Sequence, residues 1–135
     1  MTSGYLLDTN HVGQAVKATS VVRQRVAELV AGGTKVGTCV PVLCEIEAGI
    51  RQVSQPDVYR ENLSRLLRQV RVWPIDLTTA LRYGEIHFDL RRRGRVLSQV
   101  DMIVVALARQ MNLIVVTSDQ DFAALPDVPV ENWLS

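Results

Sequence analysis

The sequence predicts an α/β fold: a mainly parallel central sheet with helices on both of its faces. Three observations carry that expectation. Short apolar runs recur at Tyr5-Leu6-Leu7, Val36 to Val40 and Leu113 to Val116, each bounded by polar or turn-forming residues. The segments between them repeat apolar residues at helical spacing, and strands alternating with helices imply right-handed crossovers and parallel pairing. No internal repeat, low-complexity stretch or linker interrupts the 135 residues, so one domain is expected over 1–135.

Tyr5-Leu6-Leu7 stops at Asp8, as a buried strand does when its carboxyl edge carries an acid. From Ser20, the residues Val22, Val26, Leu29 and Val30 recur in helical phase until Gly32-Gly33. Val36 to Val40 is rich in strand formers, and Pro41 suits the first turn of a helix that carries Glu45 and Glu47. After Ser54-Gln55-Pro56, the residues Tyr59, Leu63, Leu66, Leu67 and Val70 form one apolar stripe opposite arginines. Arg71 to Ile75 reads as a short strand, which Pro74 confines to a sheet edge or to its last residues. A polar helix follows from about Thr78 to Arg93, closed by Gly94. Ser98 opens a helix with Val100, Ile103, Val104, Leu107, Ala108 and Met111 in phase, ending at Asn112; it is apolar nearly all round and therefore buried. Leu113 to Val116 is a continuous apolar strand ended by Thr117-Ser118-Asp119, and a last strand is expected near Val130 to Trp133.

Composition narrows the class. Charged residues make up 21% and apolar ones 47%, so the chain can build a core without disulfides or a structural metal. Cys39 and Cys44 match neither a redox pair nor a zinc site and read as reduced, packed thiols. The longest apolar run, Met102 to Ala108, is far too short to span a bilayer, and the start of the chain has no secretory pattern, so a cytoplasmic protein with no membrane partner is expected. A net charge of +1 hides 13 Arg against 2 Lys. Guanidinium groups grip phosphate oxygens in pairs and stack on bases, which suits a nucleic-acid partner.

Four acids stand out by position. In an open parallel sheet, sites form beyond the carboxyl ends of the strands. Asp8 and Asp119 both follow a strand, while Glu45 and Asp101 lie in the first turns of helices. Each also has a structural reading. Asp8 can cap the next helix, Ser98-Gln99-Val100-Asp101 fits a loose capping box, and Asp119 and Asp121 can belong to a polar turn. Yet Asp101 opens the most apolar helix, where an unpaired carboxylate is costly, and Glu45 sits between Cys44 and Ile46. Glu47 reads as the solvated acid of its helix. Four carboxylates converging at one sheet end would repel one another unless a cation neutralised them. Oxygen-only ligands favour Mg²⁺ or Mn²⁺ and argue against zinc. Such a site suits phosphodiester hydrolysis by metal-activated water.

At these residues the sequence resembles the PIN-domain ribonucleases and, within them, the VapC-type toxins of bacterial toxin and antitoxin pairs. The resemblance spans essentially the whole chain. It rests on Leu6-Leu7-Asp8-Thr9-Asn10, Glu45-Ile46-Glu47-Ala48-Gly49, Ser98-Gln99-Val100-Asp101 with Ala106 and Ala108, and Val116-Thr117-Ser118-Asp119-Gln120-Asp121-Phe122. It implies a PIN-like domain and an endoribonuclease with Asp8, Glu45, Asp101 and Asp119 as its acidic quartet. Thr9 and Thr117 would be polar supports, and Asp8, Asp101, Asp119 and Asp121 the metal ligands. Many relatives have Asn where Asp119 stands and an acid just before the Phe, so Asp119 and Asp121 can exchange roles. The resemblance further implies a homodimer and a cognate antitoxin whose tail blocks the site.

Arg91-Arg92-Arg93-Gly94-Arg95 is the densest basic run and directly precedes the Asp101 helix. It reads either as a solvated helix end, where cations are favoured, or as a grip on RNA phosphates. His11 and His87 read as ordinary polar or half-buried residues, with His11 near the rim of the proposed site. Competing functions are a housekeeping nuclease of the same family or a silent binding module of the same fold. A phosphatase would need an Asp-x-Asp signature after the first strand, and a phosphoacceptor domain would need adjacent acids there and a late Lys; the chain has neither.

Overall fold

Leu6 and Leu7 have no exposed surface and form the middle of the sheet, as a continuous apolar run does when both faces of a parallel sheet are covered. The computed structural model describes residues 3–134; residues 1, 2 and 135 of the expected domain lie outside the described residues. In chain order the elements are β1 (Tyr5–Leu7), α1 (Thr9–Val16), α2 (Val21–Ala31), β2 (Val36–Cys39), α3 (Val40–Ile50), α4 (Pro56–Gln69), β3 (Arg71–Trp73), α5 (Leu77–Arg92), α6 (Gln99–Met111), β4 (Ile114–Val116), a 3₁₀ helix Gln120–Ala124, and β5 (Val130–Glu131). The strand order is β3-β2-β1-β4-β5, and each of the four pairings is parallel.

That order places the site. The chain steps one way from β1 through β2 to β3, then returns past β1 to β4 and continues outward to β5. Right-handed crossovers running in opposite directions put α1 to α4 and α5 to α6 on opposite faces. Packing agrees: α1 meets α2, α3 and α4, while α5 lies along α6. β1 and β4 are therefore neighbours whose connections diverge, and it is beyond the carboxyl ends of such a pair that sites form in open parallel sheets.

Local signals read from the sequence hold the helices. Ser20 Oγ accepts from the Arg23 amide at 3.0 Å, and α2 stops at Gly32, followed by Gly33 at φ 87°. Pro41 lies in the first turn of α3. Ser98 Oγ accepts from the Asp101 amide at 3.1 Å, and α6 ends on left-handed Asn112 at φ 58°. Met102 and Val104 to Ala108 are buried, as its sequence required. β3 is an edge strand, and Pro74 follows it. Beside it, Gly37 leaves no room for a side chain: a Cβ there would stand 2.5 Å from the Arg71 carbonyl oxygen and 2.7 Å from the Trp73 ring.

Several boundaries differ from expectation. Val40 begins α3 rather than ending β2, because Pro41 already sets helical geometry there. Leu113 precedes β4, and β5 stops at Glu131. Thr9–Val16 is a helix that the polar residues around Asn10 had concealed; it buries His11, Val12, Ala15 and Val16. Residues 120–124 form a 3₁₀ helix where a plain turn was expected. α5 starts one residue early because Asp76 and Thr79 cap it reciprocally, with Gln110 bonded to both. Cys39 is buried, which pushes its thiol up to about 11, whereas Cys44 is exposed rather than packed. Among the described residues no helix is long and apolar enough to cross a membrane.

Candidate active site at the carboxyl end of the sheet

Asp8 leaves β1 and is buried, with 6% of its surface exposed. Its amide donates to the Val116 carbonyl at 3.1 Å, so the first acid is fastened directly to the end of β4. The capping reading of this residue is correct as far as it goes. Oδ1 accepts from the His11 amide at 2.9 Å, and the His11 ring nitrogen Nδ1 lies 3.0 Å from the same oxygen. Both contacts fall on Oδ1, and no hydrogen bond to Oδ2 is found among the described residues.

Asp101 lies half-buried in the first turn of α6 and is affected by the other three acids. Its carboxyl is held above the usual carboxylate range, first by burial and then by the negative charges of Asp119, Asp8 and Glu45; a hydrogen bond with Ser98 works the other way. The charges of three acids from three other segments thus bear on Asp101. Thr9 donates to Glu45 Oε1, which ties the start of α1 to α3 and makes Thr9 a support for an acid that is otherwise exposed. Thr117 is buried, and its Oγ1 accepts from the Asp119 amide at 3.0 Å. Asp119 in turn accepts the Asp121 amide on Oδ1 at 2.9 Å and so caps the 3₁₀ helix. The turn reading of Asp119 holds, and it is Asp119, not Asp121, whose charge acts on Asp101.

Among the described residues no three or more His, Cys, Asp or Glu side chains form a ready metal-binding group. The donor set nonetheless fits a hard divalent cation in kind: it is carboxylate oxygen, it is partly desolvated, and the charges of its other members bear on Asp101. Beside it runs a groove of about 540 Å³ lined by Thr117, Ser118, Asp119, Phe122, Val130 and Asn132. Of the four acids, only Asp119 reaches it.

The basic run divides. Arg92 pairs with Asp89 at 2.9 Å and lies over the Phe88 ring, and Arg93 Nη1 donates to the Ala124 carbonyl at 3.3 Å, beside the 3₁₀ helix that Asp119 caps. Arg91 and Arg95 are exposed at the end of α5 and just beyond it. Glu47 is indeed solvent-facing and holds Arg60 through two bonds of 3.0 and 2.8 Å. His11 departs furthest from expectation. It is completely buried and bridges Asp8 to Trp133, whose amide donates to His11 Nε2 at 3.1 Å.

The raised carboxyl of Asp101 has a measurable consequence. Its folded-state value lies above its unfolded one, so the stability this group contributes is full below the ordinary carboxylate range and is lost as pH rises through the raised value. In metal-free buffer, Asp101→Asn should therefore melt above wild type at neutral pH, and the gain should vanish below about pH 4. Thermal melts across pH measure this; a variant that melts below wild type at neutral pH would contradict the burial and repulsion of the Asp101 charge.

Known proteins resemble this chain in sequence and in fold. The PIN domain family matches residues 5–128. The chain is 23% identical over 130 residues to Ribonuclease VapC2 of Rickettsia felis, covering 96% of this chain and 97% of that protein. It is 29% identical over 93 residues to Ribonuclease VapC5 of Mycobacterium tuberculosis, covering 67% and 69% respectively. Its fold is similar to that in the crystal structure of VapBC2 from Rickettsia felis bound to a DNA fragment from their promoter, with a TM-score of 0.85, 22% identity, and coverage of 96% of this chain and 98% of that one. With a parallel sheet in the order β3-β2-β1-β4-β5, acids gathered at its carboxyl end and a family match over nearly the whole chain, the protein belongs to the PIN domain family.

Proposed function

We propose that the chain is a Mg²⁺- or Mn²⁺-dependent endoribonuclease, a single domain over 1–135 that acts in the cytoplasm as the toxin of a toxin-antitoxin pair. The observation that carries this reading is the half-buried Asp101 carboxyl, raised by burial and by the charges of Asp119, Asp8 and Glu45. The names of the two curated relatives, both ribonucleases, support it. In this reading Asp8, Asp101 and Asp119 hold the cation, with Asp121 next to them as a further ligand. The bound cation would lower the pKa of water and offset the charge that builds on the phosphoryl oxygens. Glu45, whose Oε1 is occupied by the Thr9 hydroxyl, offers Oε2 to orient the attacking water and take its proton. Thr117 keeps Asp119 aimed at the crevice by holding its amide.

RNA would approach along the groove beside Asp119, with Arg91, Arg92, Arg93 and Arg95 at its phosphates. Arg92 and Arg93 already serve the fold, so the freest contacts come from Arg91 and Arg95. A homodimer and a cognate antitoxin complete the proposal. Leu77, Leu81 and Phe88, exposed at 86%, 71% and 63%, form one row on α5 and supply an apolar surface for the second copy.

Purified protein with Mg²⁺ or Mn²⁺ should cleave structured RNA, and Asp8→Ala and Asp101→Ala should each abolish cleavage while remaining folded. Expression in bacteria should arrest growth in the wild type alone. Cleavage that persists in both variants or in excess chelator would refute the nuclease reading, and growth without arrest would leave a housekeeping nuclease. Binding separates the arginines: Arg91→Ala with Arg95→Ala should weaken RNA affinity and lower its log-log salt slope by about 1.4, the value for two contacts to a single strand. Unchanged affinity at every salt concentration would remove this run from the substrate path.

A further inference from the structure

His11 sits where the proposed chemistry has no declared use for it, completely buried three residues after the first acid. Its two ring nitrogens have different partners. The Trp133 backbone amide can only donate, so His11 Nε2, 3.1 Å away, must accept and cannot carry a proton. The Asp8 carboxylate can only accept, so Nδ1, 3.0 Å from Oδ1, must donate. One arrangement satisfies both: a neutral imidazole protonated on Nδ1. An imidazolium would set N–H against N–H at Trp133, and the opposite tautomer would set two acceptors face to face at Asp8.

The partner that fixes this tautomer is itself held firmly. Trp133 is buried; its ring meets Tyr5 edge-on at 5.2 Å between centroids, and Arg25 covers it at 4.8 Å. Its indole Nε1 donates to Glu131 Oε1 at 3.1 Å, and Arg25 reaches the same carboxylate oxygen at 3.4 Å. The segment just after β5 therefore grips the imidazole from the side opposite Asp8. Asp8 Oδ1 receives two donors from one residue, the amide and the ring, while Oδ2 has none among the described residues.

We propose that His11 is a positioning residue for the metal site: locked by the Trp133 amide, it clamps Oδ1 of Asp8 so that Oδ2 is presented to the crevice in one orientation. Hydrogen-bonded partners of ligating carboxylates fix ligand geometry in this way, and losing one typically costs about 10–100-fold in metal affinity or activity. The inference rests on the proposed reading of Asp8 as a cation ligand. It adds a residue remote from the metal and a tether from the chain after β5 to the first acid.

Side-chain length separates this role from simple core packing. An Asn at this position carries its amide nitrogen at the level of Nδ1 and can still donate to Asp8. A Gln carries its amide at the level of Nε2 and can answer Trp133 but not Asp8. Phe fills the space and does neither. Mn²⁺ binding to the intact protein, measured by calorimetry, should weaken about 10–100-fold in His11→Phe and His11→Gln and be largely restored in His11→Asn. Melting temperatures, taken alongside, should not follow that order. Long-range proton-nitrogen NMR of metal-free wild type should show the His11 proton on Nδ1. Affinities that simply track melting temperature, or a proton on Nε2, would overturn the positioning role. Full Mn²⁺ affinity in His11→Phe would overturn it while leaving the metal site intact, and a wild type that binds no Mn²⁺ would bring down both readings.

Discussion

β1 and β4 lie side by side and parallel, yet the chain leaves them in opposite directions, and the hydrogen bond from the Asp8 amide to the Val116 carbonyl closes that junction. Whatever follows these two strands is delivered to the same crevice. Asp8 comes immediately after β1, and Thr117 to Asp119 come immediately after β4. Asp101 arrives from the first turn of α6, and Glu45 from the second turn of α3 rather than its first because the helix already begins at Val40; the two helices also touch each other. Backbone topology brings these four segments to one end of the sheet, and the Thr9–Glu45 bond then ties α1 to α3 there.

That convergence works against the fold locally. Asp101 bears both desolvation and the charge of three neighbours, and a hydrogen bond with Ser98 answers only part of it. The surrounding structure resists the repulsion by engaging each acid on one side. Asp8 is held by His11, Glu45 by Thr9 and Asp119 by the Thr117 hydroxyl and the start of its own 3₁₀ helix. The caps and the chemistry are therefore not rival explanations. A capped carboxylate has one committed oxygen and a fixed direction, which is the state in which it can best present the other oxygen to a cation.

The parts of this arrangement legible in the sequence are those set by local rules. Leu6-Leu7, the β-rich stretch from Val36, the long apolar helix from Ser98 and the stops at Gly32 and Asn112 each follow from spacing or backbone preference over a few residues. Asp8 and Asp119 stood out because strand ends are legible, and Asp101 and Glu45 because each stands among apolar neighbours on a helix. α1 was not, since Thr9, Asn10, His11 and Gly13 are poor helix formers, and that helix exists because Asp8 caps it and Val12, Ala15 and Val16 bury its other face. The Asp76 cap was hidden because its partner at the third position is Thr79 rather than Glu or Gln. His11 was hidden most deeply. Its role depends on Trp133, 122 positions away, and only the folded chain brings the two together.

Diffraction from crystals soaked in Mn²⁺ tests the acid cluster most directly, because the anomalous signal locates the ion without reference to activity. The expected result is a peak between Asp8, Asp101 and Asp119, in contact with Oδ2 of Asp8 and absent from crystals of Asp101→Asn. A map with no peak in the crevice at millimolar Mn²⁺, or with the ion bound away from these carboxylates, would contradict the assignment of this sheet end as a metal site.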